Sequence, residues 1–156
     1  MSNKIHPSVN KIWNAFTREN KNQLSSTIPT SWYFCDNEKD ANECADLVMK
    51  KIKQATCSSL ISFEKENEPL PKVGDIDIIT NWNGEALAII ETTEVTLITY
   101  HQIDESFAIA EGEGDKSLAY WKKVHWDFFK RELAEFGESP SEGMMLIAQK
   151  FKTIYS

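Results

Sequence analysis

The chain has 156 residues, and 41% apolar with 26% charged residues place it among ordinary globular proteins large enough to bury a core without metal or disulfide staples. Its formal charge of −7 opposes coating of a phosphate polymer, which needs many Lys and Arg to neutralise phosphates, so DNA is not an expected partner. No apolar run approaches the roughly 18 residues needed to cross a bilayer, and residues 1–10 lack the apolar stretch of a signal peptide, so a cytoplasmic protein away from membranes is expected.

Taken in chain order, Pro7 can open a helix over about residues 7–20, with Val9, Ile12, Trp13 and Phe16 spaced to share one apolar face. A polar connector over 24–29 leads to the aromatic cluster Trp32, Tyr33 and Phe34. Asp36 or Asn37 can cap a second helix whose face of Ala41, Cys44, Ala45, Val48 and Ile52 suits close packing on a sheet, with lysines in its last turn. A strand is predicted over 56–63, followed by a charged, Pro-punctuated loop over 64–71.

Next comes a strand over 75–80, with Ile76 and Ile78 alternating with Asp75 and Asp77, and Asn83-Gly84 gives a hairpin signal. The apolar run 86–90 and the alternation of Val95, Leu97 and Thr99 predict one long strand, bent or bulged at its polar centre over 91–94. Glu91 and Glu94 there face a cleft or solvent. Residues 104–111 form a short helical candidate ended by Gly112, and Asp115 can cap a longer helix over 116–135 ended by Gly137. Leu118, Trp121, Val124, Phe128 and Phe129 mark its core side, and His125, one turn after Trp121, reads as a histidine against the core. The segment 144–155 is expected to close the sheet. No repeat or linker divides the chain, so one domain is expected.

The three cysteines, Cys35, Cys44 and Cys57, form no C-x-x-C pair and have no histidine at a ligand spacing. Free, buried thiols are expected, with no metal and no cofactor. Charge is segregated, with Lys50, Lys51 and Lys53 together and acids gathered over 64–68 and 111–115.

The stretch Lys53-Gln54-Ala55-Thr56 is similar to the G-x-K-x-x-T signature of the ASCH family. It is accompanied in order by Glu68-Pro69-Leu70-Pro71, Gly74-Asp75, Phe107-Ala108, Glu111-Gly112-Glu113-Gly114-Asp115, Ser117-Leu118, Trp121, His125 and Phe128-Phe129. This set resembles a longer bacterial ASCH subgroup over about residues 32–155, with Lys51 where the family has glycine. The resemblance implies an α+β fold, a small PUA-like β-barrel with flanking helices. It also implies a cleft between the Lys53–Thr56 junction and the 111–115 loop.

The same resemblance implies RNA, a nucleotide or a modified nucleoside as ligand. Small ASCH proteins described as amidohydrolases on acetylated cytidine carry a Lys, a Thr and a Glu, which here would be Lys53, Thr56 and Glu113. Lys53 could act as base or bind phosphate, Thr56 as nucleophile, and Glu113 as acid. A ribonuclease would use Lys53 with Ser117 and the aromatics. Lys51, Trp32, Tyr33, Glu111, Asp115 and Ser117 are the accompanying ligand-binding candidates, the aromatics as stacking surfaces and Ser117 as an anion donor at a helix start. Each has a plainer reading: Lys53 as a partner of a helix dipole, Thr56 as a strand residue, and Gly112, Gly114 and Asp115 as helix punctuation.

Overall fold

The computed structural model describes residues 4–20 and 27–156; the start of the predicted connector, 24–26, lies outside the described residues. Helix α1 (Pro7–Glu19) begins with proline in its first turn and buries Val9, Trp13 and Phe16. After the two-residue strand β1 (Ser31–Trp32), Asn37 caps α2 (Glu38–Met49) through its side chain, which accepts the Asp40 N–H at 2.9 Å. That helix buries Ala41, Cys44, Ala45 and Val48, whereas Ile52 lies beyond its end and is exposed. Its last helical turn holds no basic residue, because the lysines follow the helix.

Strand β2 (Ala55–Ser59) is shorter than expected, because 60–65 is helical: α3 (Leu60–Lys65) starts at Ser59, whose hydroxyl accepts the Ser62 N–H at 3.2 Å. A serine able to cap outweighs the apolar, β-prone composition that follows it. Strands β3 (Ile76–Thr80) and β4 (Ala86–Thr99) form the predicted hairpin, with the Asn81 side chain accepting the N–H groups of Asn83 and Glu85 across the turn. The 14-residue β4 is irregular against β5 (Met145–Tyr155) between Thr92 and Glu94, in the polar centre where a bend is expected, and also between Ile89 and Ile90, within the apolar run, where none is expected.

Between β4 and β5 lie a short 3₁₀ turn (Tyr100–Gln102), α4 (Glu105–Glu111) capped by Asp104, and α5 (Leu118–Ala134). The cap of α5 is Ser117, whose hydroxyl accepts the Tyr120 N–H at 3.0 Å, and not Asp115, whose carboxylate accepts from Ser117 N–H at 2.8 Å. Lys116 cannot be helical, since its φ is 64°.

The five strands run in the order β1-β3-β4-β5-β2, antiparallel except for the parallel β1–β3 pair. The fold is thus α+β, a bent mixed sheet with flanking helices and β1 and β2 at its edges. Adjacent residues serve opposite faces: Ile78 and Ile89 meet α1, while Ile79, Ala88 and Ile90 meet α2. Burying each isoleucine fully removes it from water for about 1.5–3 kcal/mol. A third cluster packs Ala55, Leu146 and Ala148 of the sheet against Phe107, Trp121, Phe129 and Leu133 of α4 and α5.

The end of α2 places the candidate lysine. The Ile52 N–H reaches the Leu47 carbonyl at 2.9 Å and the Lys51 N–H reaches that of Val48 at 3.0 Å, a Schellman closure with Lys51 left-handed at φ 61°. Glycine is relaxed in that conformation and lysine is not. Lys51→Gly is therefore expected to raise stability by about 1 kcal/mol, seen as a higher urea midpoint at unchanged m-value. A lower midpoint would mean that the turn has another geometry.

Candidate functional site

Lys53 leaves this turn pointing inward and is 1% exposed. The opposing wall is set by Gly112, left-handed at φ 70° where α4 ends. A Cβ on Gly112 would stand 2.6 Å from the Ile52 carbonyl oxygen, so only glycine lets the two turns touch. The Gln54 N–H donates to the Ala110 carbonyl at 2.7 Å and locks this approach. It delivers Glu111 and Glu113 to the lysine.

The Lys53 ammonium donates to Glu111 Oε1 at 3.1 Å and to Glu113 Oε2 at 3.3 Å, and its Nζ lies 5.1 Å from the centre of the Phe34 ring. Glu113 Oε1 accepts the Cys44 thiol at 3.0 Å, and Glu111 Oε2 accepts the Trp121 indole N–H. That same Oε2 lies 3.0 Å from His125 Nε2, and His125 Nδ1 lies 2.9 Å from the Trp121 carbonyl. A carbonyl and a carboxylate only accept, so these two contacts favour hydrogen on both ring nitrogens, the imidazolium form of His125. It stacks on Trp121 with centroids 4.1 Å apart.

Burial alone would raise the Glu111 carboxyl, but the charges of His125 and Lys53 overcome it and hold the group at about 2. For Lys53, burial pulls the ammonium pKa down, and the Glu113 and Glu111 charges push it well above the ordinary lysine value. His125 follows the same pattern, with burial opposed by Glu111 and a net rise. Two cations and two anions therefore sit together inside the protein, and no buried side-chain nitrogen or oxygen among the described residues lacks a partner.

This cluster forms one end of a cleft of about 1100 Å³. Thr56 and Ser58 on β2 and Gln149, the cross-strand neighbour of Thr56, contribute neutral polar groups, while Trp32, Tyr33, Phe34 and Phe128 contribute rings. Trp32 is anchored by its indole N–H to Asp77 at 3.1 Å, and Tyr33 packs on Trp82 with centroids 4.8 Å apart. Six of the nine candidates thus line one space: Lys53, Thr56, Glu113, Glu111, Trp32 and Tyr33.

Lys51, Asp115 and Ser117 stand outside it, all away from the lining. Their positions are explained by the helix turn after α2 and the start of α5. Glu91 and Glu94 also stay outside, paired on the surface with Lys152 and Lys150 at 3.3 Å each. Sequence reading treated His125 as core and Cys44 as a packing residue, and both belong to the cluster. The i, i+4 step from Trp121 to His125 on the helix after the acidic loop was the available signal for the former.

Among the described residues, two side-chain groups have metal-binding donor atoms within 4.8 Å of one another: Cys35, Cys44 and Glu113, and Cys57, Glu111 and His125. The expectation of no ligand spacing rested on sequence distance, and folding brings these donors together. In both groups the carboxylate already accepts hydrogen bonds from Lys53 and its neighbours, so a metal would have to displace those donors.

The fold and cleft define a small α+β protein with a buried lysine–glutamate centre. A family model described as the ASCH domain matches residues 30–155, and the chain belongs to that family. It is similar to the crystal structure of an ASCH domain from Lactobacillus crispatus JV V101, with 35% identity, a TM-score of 0.88 and 97% of each chain covered. It is also similar to the crystal structure of a protein from Enterococcus faecalis V583, at 37% identity and TM-score 0.86, covering 95% of this chain and 88% of that one. No curated protein matches the chain. No helix among the described residues is long and apolar enough to cross a membrane.

Proposed function

We propose that the cleft binds a small nucleobase-bearing ligand without phosphate, such as a modified nucleoside. The observation that carries this reading is the charge of the lining. Asp40, Glu66, Glu68, Asp75, Asp77, Glu111, Glu113 and Glu132 face three cationic residues, Lys53, Lys72 and Arg131, besides His125. Each of those three already pairs with a carboxylate: Lys53 with Glu111 and Glu113, Lys72 with Asp75, and Arg131 with Asp36. A phosphate entering the cleft would meet net negative charge and no cation in need of a partner. A base ring meets aromatic faces and the polar edges of Thr56, Ser58 and Gln149.

Calorimetric titration with cytidine, acetylated cytidine, cytidine monophosphate and a short single-stranded RNA tests this. A nucleoside should bind, its phosphorylated form at least about tenfold more weakly, and Trp32→Ala should weaken the nucleoside by about 1–3 kcal/mol. Equal or tighter binding of the phosphate or RNA, or no binding at all, would overturn the reading.

A second reading, hydrolysis of an amide carried on the base, is favoured by the buried pair at the end of the cleft that Thr56 lines. Lys53 is held as an ammonium and is therefore unsuited to act as base; it can stabilise an oxyanion, and the base passes to Glu113, which is 18% exposed at its side chain. The Thr56 hydroxyl would add to the acyl carbonyl while Glu113 takes its proton. Collapse would return that proton to the departing amine, and water would then free the acyl group from Thr56. Release of acetate from acetylated cytidine, lost in Thr56→Ala with binding retained, is the signature.

A further inference from the structure

In the lining of the cleft, Cys35 and Cys44 bring their sulfurs to 3.8 Å. Cys44 is buried on α2, and Cys35 is half-buried in the loop before it and lines the cleft. Cys35 holds a left-handed backbone at φ 68°, a conformation that costs a residue with a Cβ, so the surrounding fold presents its thiol to Cys44 against local preference. The third cysteine, Cys57, belongs to the other group with Glu111 and His125. The thiols therefore divide into a touching pair and one member on the other side of the Lys53 cluster's carboxylates.

We propose that Cys35 and Cys44 are a redox modification site, a reversible disulfide formed under hydroperoxide that retunes the cleft by taking the Cys44 proton away from Glu113. Its effect on ligand rests on the proposed nucleoside reading; the disulfide itself does not. Cys35, which faces the cleft, is the thiol that a small peroxide reaches. Its sulfur attacks one peroxide oxygen, the O–O bond breaks, and Cys35 becomes a sulfenic acid with release of water. Cys44 sulfur then attacks the Cys35 sulfur, the S–O bond breaks, and the hydroxyl leaves as a second water.

Glu113 Oε1, 3.0 Å from the Cys44 sulfur, is placed to take the thiol proton in this step and pass it to the departing hydroxyl. Two electrons move from the two sulfurs to the peroxide. Closing from 3.8 Å to a bonded separation of about 2.05 Å asks for under about 2 Å of motion, shared between the two side chains. Once the bond forms, Glu113 keeps Lys53 as a donor and loses Cys44. A carboxylate that has lost one donor can accept from a ligand in its place.

The test is to treat the full chain with hydrogen peroxide, alkylate remaining thiols after denaturation, and map peptides by mass. The expected result is an intramolecular Cys35–Cys44 link, reversed by dithiothreitol, with Cys57 alkylated, and no link in Cys35→Ser while Cys57→Ser still forms it. Calorimetry with acetylated cytidine, before and after oxidation, should show affinity changed about tenfold, the worth of one charge-assisted hydrogen bond. A link through Cys57, a link between chains, or sulfinic acid without any link would overturn the site. An unchanged affinity would overturn its regulatory effect. If reduced protein binds no nucleoside while the link forms, the cleft assignment fails and the modification site stands.

Discussion

Glu111→Ala is expected to destabilise the protein by about 3–5 kcal/mol, the cost of leaving buried charge without its partner. Glu111 alone serves three donors, the Lys53 ammonium, the Trp121 indole and the His125 ring, and it is 1% exposed. Water cannot readily replace it. Urea unfolding would read the loss, and a change below about 1 kcal/mol would show that the charges are solvated after all.

The same group predicts the pH profile. Glu111 is held at about 2 against an ordinary 4.5, so its contribution is present above pH 4.5 and is lost as pH falls towards 2. His125 has a raised pKa, so its contribution is full below 6.5 and is lost as pH rises through its folded value. Lys53 is raised above 10.5 and changes nothing until strongly alkaline pH. Stability should therefore be greatest between about pH 4.5 and 6.5 as far as this cluster decides it, and Glu111→Ala should flatten the acid limb.

Gly112→Ala is the second large effect, at about 2–5 kcal/mol, combining a left-handed alanine with overpacking against backbone. The new methyl would meet the Ile52 carbonyl oxygen at 2.6 Å and its carbon at 2.9 Å, atoms that cannot rotate aside. Relief requires the two turns to part, which lengthens the contacts from Lys53 to both glutamates. Gly137→Ala is the internal control: its φ is 71°, yet a Cβ there meets nothing within 4 Å, so only the backbone cost of about 1–2 kcal/mol applies. Equal losses at the two positions would mean that the turns do not touch.

Much of the fold was legible because its signals are local. Pro7, Asn37, Asp104 and Gly112 mark helix ends through chemistry confined to a turn, and the irregularity of β4 between Thr92 and Glu94 falls in its polar centre. Ser59 was missed because a cap and a strand residue look alike when β-branched and apolar residues surround them. The family signature brought Lys53, Thr56 and the acidic loop into view, while the sorting within that loop was not legible. Glu111 and Glu113 reach Lys53 while Asp115 stays outside the cleft, and the left-handed Gly112 and Gly114 among them lie close against Ile52 and Tyr120. Likewise, Cys44 and Cys35 join the site through tertiary contacts that no spacing encodes, whereas His125 left a trace in its i, i+4 step from Trp121.

The position of β5 in the sheet carries a kinetic consequence. It sits between β4 and the edge strand β2, so β2 is tied to the rest of the sheet only through β5. Lys53, just ahead of β2, meets acceptors 58 and 60 residues away, and such distant contacts are made late, after the entropy of closing long loops has been spent. The lysine is therefore expected to stay hydrated until late in folding. Interactions that form after the transition state leave the folding rate almost untouched and slow escape from the native state. The buried charges are thus expected to act as a latch, so that Glu111→Ala speeds unfolding while leaving the folding rate nearly unchanged.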